Sequence, residues 1–568
     1  MQEPRDPVHA AIEPAPDDVY DVVVVGSGGA GLVAGLATAV AGLRTVMLES
    51  GSLVGGTTAI SGAGIWIPAN GKARAAGIAD SQADALDYIR ACAPDGWQQA
   101  EDARWRRLVG EGAGMVDFVE AHTPLRFDLS DDADPYPLAP GARRAGRMLS
   151  PRPVPASAVG AWARRIRSPH LPHLLTYQEV RRLDAWHHPW KAVLKRLPQV
   201  LIRLLTGARA QGTGLVRGLL AGYIDAGGLI LTDARAMSLQ ADGQGRVTAV
   251  DATCEGGKRT LHARRGVVLA TGGFEHDAER RKAHFPGPVD FIASPPTNRG
   301  DGHRMAEAVG AELARMGEAN IAPAIPARLN GTFQPLATFH HREPAAILVG
   351  PDGRRFVNEY LFNLGEVLLQ RDPVTGSYRH LPAFLVADAT MLRVSPIMKH
   401  FLRADPAFVR TAPDIDALAG MIGIEAAVLA DTVQRFNSCA ERGCDEDFGR
   451  HVDPLAPGGI SPMRLAPLRK PPFVAMPFNL TFLSTKGGPR TDDRGRVLRP
   501  DGSAIGGLFC AGVAMANPIG TRAVGSGTTI GPNMTWAWIC GRQIVGDLRD
   551  GERHEHEECE ERRHDVIR

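Results

Sequence analysis

The stretch YDVVVVGSGGAGLVAGLATAVAGLRTVMLE, residues 20–49, decides the fold. Tyr20–Val25 is a run of mostly β-branched apolar residues, the composition of a strand buried on both faces. It leads into G-S-G-G-A-G, residues 26–31, and then into a small-residue segment with helical character. Gly42 suits the C-terminal end of that helix. TVMLE, residues 45–49, predicts a second strand ending on an acid. Gly26 permits a tight turn, Gly28 lets the backbone approach a pyrophosphate, and Gly31 lets helix and strand pack closely. Gly29 and Ala30 complete the turn, and the helix N-terminus offers free N–H groups to phosphate. Glu49 stands about 20 residues beyond Gly26, where a carboxylate meets ribose hydroxyls. Together these features predict a dinucleotide site.

The chain has 568 residues, more than one ordinary core can hold, so two or more domains are expected. Hydrophobic residues make up 44% and charged residues 22%, as in soluble globular proteins. The formal net charge of +1 supplies no basic excess for nucleic acid. The seven cysteines are scattered without a CxxC or CxxCH, which suits a reducing compartment. The acidic, proline-containing first residues lack the apolar centre of a signal peptide. No apolar run approaches the roughly 18 residues of a membrane span, so a cytoplasmic location is expected.

The next segments bear on the identity of the dinucleotide. GSLVGGTTAISGAGIWIPAN, residues 51–70, is unlike the continuation of a simple NAD fold. Its small and hydroxyl residues, with Ser50, could reach a cofactor's phosphates and ring: Gly56, Thr57, Thr58, Ser61, Gly62 and Gly64. GVVLATGG, residues 266–273, is a further buried strand ending in Ala270, Thr271 and Gly272. GGLFCAGVA, residues 506–514, is another, with Gly512 at its end. Three strands ending in glycine-rich turns predict one long ligand at one edge of a sheet. Between them lie an Arg-, Trp- and Pro-rich segment, about 75–210, and a mixed segment, 275–460.

These motifs resemble a known family. VVVVGSGGAGLVAGLATA, GGTTAISGAGIWIPAN, VVLATGGFEHD, TNRGDGHRMAEAVGA, ILVGPDGRRFVNE and STKGGPRTDDRGRVLRPDGSAIGGLFCAGV occur in the order found in flavoproteins of the fumarate reductase / 3-ketosteroid Δ1-dehydrogenase superfamily. GAGIWIP, STKGGPRTD and GTTIGPNMT are most similar to the ketosteroid dehydrogenase branch. The resemblance implies an α/β protein: a discontinuous, Rossmann-like FAD-binding domain of the glutathione-reductase kind, with an inserted α+β substrate or capping domain. The expected division is a leader at 1–18, FAD domain at 19–274, substrate domain at 275–460, FAD domain again at 461–548 and a charged tail at 549–568. It implies FAD, here non-covalent because no histidine flanks the first glycine motif, with Asn298, Asp301, Gly527, Thr528, Thr529 and Ile530 as further cofactor contacts. The implied chemistry moves hydrogen across a C–C bond next to a carbonyl or carboxylate, between carbon and flavin N5.

The catalytic candidates depart from the family pattern. Ketosteroid dehydrogenases carry a tyrosine four residues before the glycine matching Gly527, and the pair grips the 3-keto oxygen; here that position is Ala523. Arg522, one residue earlier, either holds an anionic or carbonyl substrate or forms a structural ion pair. Arg342 falls where fumarate reductases carry a proton-donating arginine, and its planar fork could clamp a carboxylate. Tyr136 and Tyr360 stand nearest the family's active-site tyrosines, and each is either a proton-handling phenol or a packing residue.

Two function readings follow: a 3-ketosteroid dehydrogenase-like desaturase of a cyclic ketone or steroid, and an enoate reductase acting on an unsaturated acid. A third class is a flavin-binding protein with little catalysis. An electron donor or acceptor is required as partner. WHHPWKAVLKRLPQVLIRLL, residues 186–205, is either a peripheral membrane contact or an amphipathic helix packed on the substrate domain. HEHEEC, residues 554–559, reads as a solvated charged tail, and no metal is expected.

Overall fold

The computed structural model describes residues 18–403 and 405–546. Residues 1–17 of the leader and the charged tail lie outside them. Val19–Val25 and Thr45–Leu48 pair in parallel, joined by the helix Gly29–Val40, which stops at Ala41 and leaves Gly42 left-handed at φ +78°. Val22, Val23 and Val24 are fully buried, as the unbroken apolar run requires. Gly257–Leu269 lies parallel on the other side of Val19–Val25, and Ala504–Cys510 lies parallel beyond it. Val25, Leu269 and Cys510 come level in this register, so three glycine-rich turns leave the sheet at one end. Leu229–Leu231 extends one side, and Arg496–Leu498 closes the other antiparallel. Arg235–Ala241 and Val247–Cys254 form a meander running onto Gly257–Leu269, completing eight strands.

Small residues on the first helix allow close packing. A Cβ at Gly35 would fall 2.8 Å from the Tyr223 ring on the helix Gln211–Asp225. A Cβ at Gly541, on the helix Ile530–Val545, would fall 2.6 Å from Ala37 Cβ. The last described helix thus packs against the first, bringing segments far apart in sequence to one edge of the sheet.

A second, antiparallel sheet runs Ala346–Val349, Phe384–Ala387, Phe473–Pro477, Arg410–Ala412. Apolar clusters cover both its faces, one of them built with the helices Ile415–Ile422 and Ala426–Arg442. Val289–Ile292, Leu480–Thr485 and Ala319–Ile321 form a further sheet. Phe473–Pro477 belongs to the second sheet, and the chain rejoins the first at Arg496–Leu498. The six described cysteines are free, and no described helix is long and apolar enough to cross a membrane.

Candidate active site

The first turn contains glycines of two kinds. A Cβ on Gly31 would lie 1.8 Å from Gly26 O, and one on Gly26, at φ +109°, would lie 2.3 Å from Ala270 O. Both are glycine because protein fills the space. A Cβ on Gly28 would meet only Thr58 Oγ1, at 3.9 Å, so its flank is open, as a phosphate's approach requires. Gly28 is also the N-cap of Gly29–Val40, whose first turn holds no acid, so the positive end of the helix is uncompensated there. Gly29 N–H donates to Thr58 Oγ1 at 3.1 Å, tying Thr57–Thr58 to the turn.

Glu49 is buried at the end of its strand. It accepts hydrogen bonds from the Ser27 hydroxyl, from Ser27 N–H at 3.2 Å and from Gly51 N–H at 3.0 Å. Ser50 Oγ lies 3.4 Å from the same carboxylate. These donors hold Glu49 beside the turn, where its remaining lone pairs can accept from ribose hydroxyls. Gly55 N–H donates to Ser27 Oγ at 3.0 Å and brings the Gly55–Gly56 loop against Gly28. Ala270, Thr271 and Gly272 follow the neighbouring strand, and Thr271 Oγ1 is buried without a hydrogen-bond partner. A Cβ at Gly512 would touch Ala30 Cβ at 3.1 Å, which brings the third strand end to the same place. Asn298 donates to Glu275 Oε1 at 2.8 Å and approaches Thr57 Oγ1 at 3.4 Å. An open glycine flank, an uncompensated helix N-terminus, a buried acid and an orphaned threonine hydroxyl fit FAD.

Several expected contacts have other work. Asp301 is paired bidentately with Arg235 at 2.9 Å and also with Arg304, so its carboxylate is satisfied by protein. Gly64 faces Met148, whose Cε would lie 2.0 Å from an added Cβ, and Ser61 Oγ donates to Thr58 O at 2.8 Å. Cβ atoms at Gly525, Gly527 (φ +86°) and Gly531 would each strike Trp66 or its backbone, at 2.7, 2.8 and 2.6 Å. The small residues of the last motif therefore first let it pack on the strand Ile65–Trp66. Thr528 Oγ1 donates to Gly525 O, Thr529 Oγ1 accepts from Asn320, and Ile530 opens the last helix.

The catalytic candidates separate clearly. Arg522 forks onto Glu366, with Nε 2.9 Å from both carboxylate oxygens, so it is a structural ion pair rather than a free substrate grip. The Tyr360 hydroxyl donates to Arg342 O at 2.8 Å, and its ring lies against Arg342, Arg450 and Arg464. Tyr360 therefore supports the Arg342 backbone, and its hydroxyl is engaged there. Arg342 itself has no carboxylate partner among the described residues, and its Nε is buried without a hydrogen bond. Burial, with Arg464 and Arg181 nearby, pulls its pKa below the ordinary guanidinium range.

Behind Arg342 lies a buried network. Arg355 is paired with Glu359 and Asp445, and Arg450 with Glu359 at 3.2 Å. Arg450 also donates to Glu343 O at 2.7 Å, fixing the residue after Arg342. The motif RRFVNE, residues 354–359, and the stretch CDEDFGR, residues 444–450, meet in this network. Cys439, Asp445 and Asp447 lie within metal-binding reach of one another, but both carboxylates are committed to Arg355 and Arg435.

Tyr136 was expected near the reacting atoms. Its hydroxyl accepts from Asn363 Nδ2 at 2.6 Å, and the same amide brackets Ala523, donating to its O at 2.9 Å and accepting from its N–H at 3.0 Å. Asn363 thus brings a phenol to the position that lacks the family tyrosine. Burial raises the Tyr136 pKa, outweighing the Asn363 hydrogen bond. Tyr177, not foreseen from sequence, begins the short helix Tyr177–Arg182, held by a Thr176–Glu179 capping box. A Cβ at Gly62 would lie 3.1 Å from its ring. Burial raises its pKa, while Ser526 and Arg342 act in the opposite direction. Its hydroxyl lies 3.4 Å from Asp132 Oδ1, and Asp132 pairs with the half-exposed Arg181. Tyr177 thus joins the Gly62 turn, the 526 loop and Arg342.

A family profile described as an FAD binding domain matches residues 21–530. The chain belongs to this family. It is 34% identical over 555 residues to a 4-oxocyclohexanecarboxylate 2-dehydrogenase of Sinomonas cyclohexanicum, covering 94% of each chain. It is 32% identical to a 3-oxosteroid 1-dehydrogenase of Mycobacterium tuberculosis, covering 93% of this chain and 98% of the relative. Among solved structures it resembles the 3-ketosteroid delta1-dehydrogenase of Sterolibacterium denitrificans in complex with 1,4-androstadiene-3,17-dione. That match has a TM-score of 0.84 at 28% identity, with 94% of this chain and 100% of the other covered. The protein is an FAD-dependent CH–CH oxidoreductase of the fumarate reductase / ketosteroid dehydrogenase superfamily, with a mixed α/β FAD-binding fold.

Proposed function

We propose that this enzyme desaturates a cyclic ketone next to its carbonyl, and that the ketone carries an anionic group held by Arg342. The observation that carries the reading is the half-buried guanidinium of Arg342, whose Nε is buried without a hydrogen bond, without a carboxylate partner among the described residues and beside the Tyr177 phenol. A buried cation is costly unless paired, and a substrate carboxylate supplies the missing charge through a fork of two hydrogen bonds. The similarity to a dehydrogenase of a cyclic keto acid supports the same reading. In it, the first sheet and its turns form a discontinuous Rossmann-like domain and the second sheet belongs to an inserted capping domain. Gly26–Gly31, Glu49, Thr57–Thr58, Ala270–Gly272, Asn298 and the 527–530 loop hold FAD.

FAD, when bound, accepts the hydride. The protein's residues do the rest. Tyr136, kept neutral by its raised pKa, donates its hydroxyl hydrogen to the ketone oxygen while Asn363 holds it. Polarising that oxygen acidifies the neighbouring C–H. Tyr177 first passes its hydroxyl hydrogen to Asp132, Arg342 favours the phenolate so formed, and the phenolate oxygen then takes the departing proton.

The test is product analysis. The enzyme with an artificial electron acceptor should convert 4-oxocyclohexanecarboxylate to a product two hydrogens lighter. Turnover of neutral 3-ketosteroids with none of the keto acid would refute the anionic part. Reoxidation of reduced enzyme by fumarate, with no ketone turned over, would favour enoate reduction instead.

A further inference from the structure

The segment after Tyr177 contains a surface that the reaction does not explain. Pro198 divides it into two short helices, Pro189–Lys195 and Leu197–Leu205, with the proline in the first turn of the second. Each helix buries one residue, Ala192 and Val200. The remaining large apolar side chains face outward: Trp190 is 78% exposed, Leu194 69%, Ile202 60% and Leu205 87%. Leu197, Leu201 and Leu204 are exposed as well. Of the two readings of this segment, packing on the substrate domain does not account for these exposed side chains. A contiguous set of this kind marks an interaction site.

The charge pattern identifies the occupant. Residues 189–206 contain Lys191, Lys195, Arg196 and Arg203 and no acidic residue. Arg203 and Arg196 reach Glu179, while Lys191 and Lys195 are exposed and have no carboxylate partner among the described residues. An apolar face with an exposed tryptophan, edged by free lysines, complements the interface of an anionic bilayer. A second copy of this chain would bring the same lysines together without acids to meet them. No described helix is long and apolar enough to span, so the pair would lie in the interface plane. The pair is also continuous with the helix Tyr177–Arg182, and His187 ties the connection to Glu343 at 2.9 Å.

We propose that Trp190–Leu205 is a membrane-surface anchor that docks the enzyme on anionic lipid beside its active site. The full-length holoenzyme would be tested by flotation with phosphatidylglycerol–phosphatidylcholine vesicles and with phosphatidylcholine vesicles alone. Binding is expected to the anionic vesicles, and raised salt should weaken it. Leu201→Glu with Leu205→Glu should abolish flotation, and Lys191→Glu with Lys195→Glu should weaken it by about tenfold. These side chains are exposed, so flavin content and melting temperature should be unchanged. Failure of the wild-type enzyme to float would overturn the proposal, as would equal flotation of the leucine variant. A dimer that the leucine variant dissociates, with no vesicle binding, would assign the surface to a second copy and refute the lipid anchor.

Discussion

Replacement of Arg342 provides the sharpest probe of the substrate grip. Its guanidinium has no carboxylate partner among the described residues and has a buried, unbonded Nε, so it is free to make two charge-assisted bonds to a substrate anion. Each such bond contributes roughly 1.5–3 kcal/mol, and water admitted to the truncated site recovers part of that. A net loss of about 3–4 kcal/mol corresponds to a fall in kcat/KM of roughly 10²- to 10³-fold for Arg342→Ala. Arg342→Lys should recover only part, because an ammonium cannot fork onto a carboxylate. The assay is steady-state reduction of a dye acceptor with 4-oxocyclohexanecarboxylate and, in parallel, its methyl ester. The ester lacks the charge, so its already low kcat/KM should fall less than about tenfold in the alanine variant. Equal losses for acid and ester, or no loss for the acid, would refute the reasoning.

Gly28→Val should fold yet lose FAD, read as the ratio of flavin to protein absorbance, whereas Gly31→Val should fail to fold because its Cβ meets Gly26 O. Glu359→Ala strands two buried arginines and should cost roughly 3–5 kcal/mol, seen as a melting temperature lower by at least about 5 °C; a change below about 1 °C would contradict the network's role. Tyr136→Phe should lower kcat with FAD retained, and unchanged kcat would remove it from the reaction. His187 has a pKa raised to about 9 by its Glu343 hydrogen bond, with Asp184 adding to the shift. Its contribution to stability is therefore full below the unfolded value of about 6.5 and is lost as pH rises through about 9. Melting temperature should fall over that window, and His187→Gln should flatten the profile.

The nucleotide edge was legible because its signals are local. A buried strand, a glycine turn, a small-residue helix and a terminal acid lie within residues 20–49, and each residue's job follows from its neighbours in sequence. The fingerprint assigned Gly28 to close approach and Gly31 to packing, and their surroundings differ in that sense: Gly28 faces open space and Gly31 faces Gly26 O. The roles of Arg522, Tyr360 and Tyr136 were left open because their partners are remote. Arg522 meets Glu366, the Tyr360 hydroxyl turns to Arg342 O, and Asn363 reaches both Tyr136 and Ala523. Tyr177 gave no signal at all, since its helix reaches the Gly62 turn only through the tertiary fold. The reach of Phe473–Pro477 into the second sheet was hidden for the same reason: a short apolar strand does not name its partner.

The most direct test of the central claim is anaerobic mixing of the oxidised holoenzyme with 4-oxocyclohexanecarboxylate while the flavin's visible absorbance is followed. The account predicts rapid bleaching that saturates with the keto acid and is slowed in Arg342→Ala. A flavin that stays yellow with every cyclic ketone, yet is reoxidised by fumarate after dithionite reduction, would contradict it.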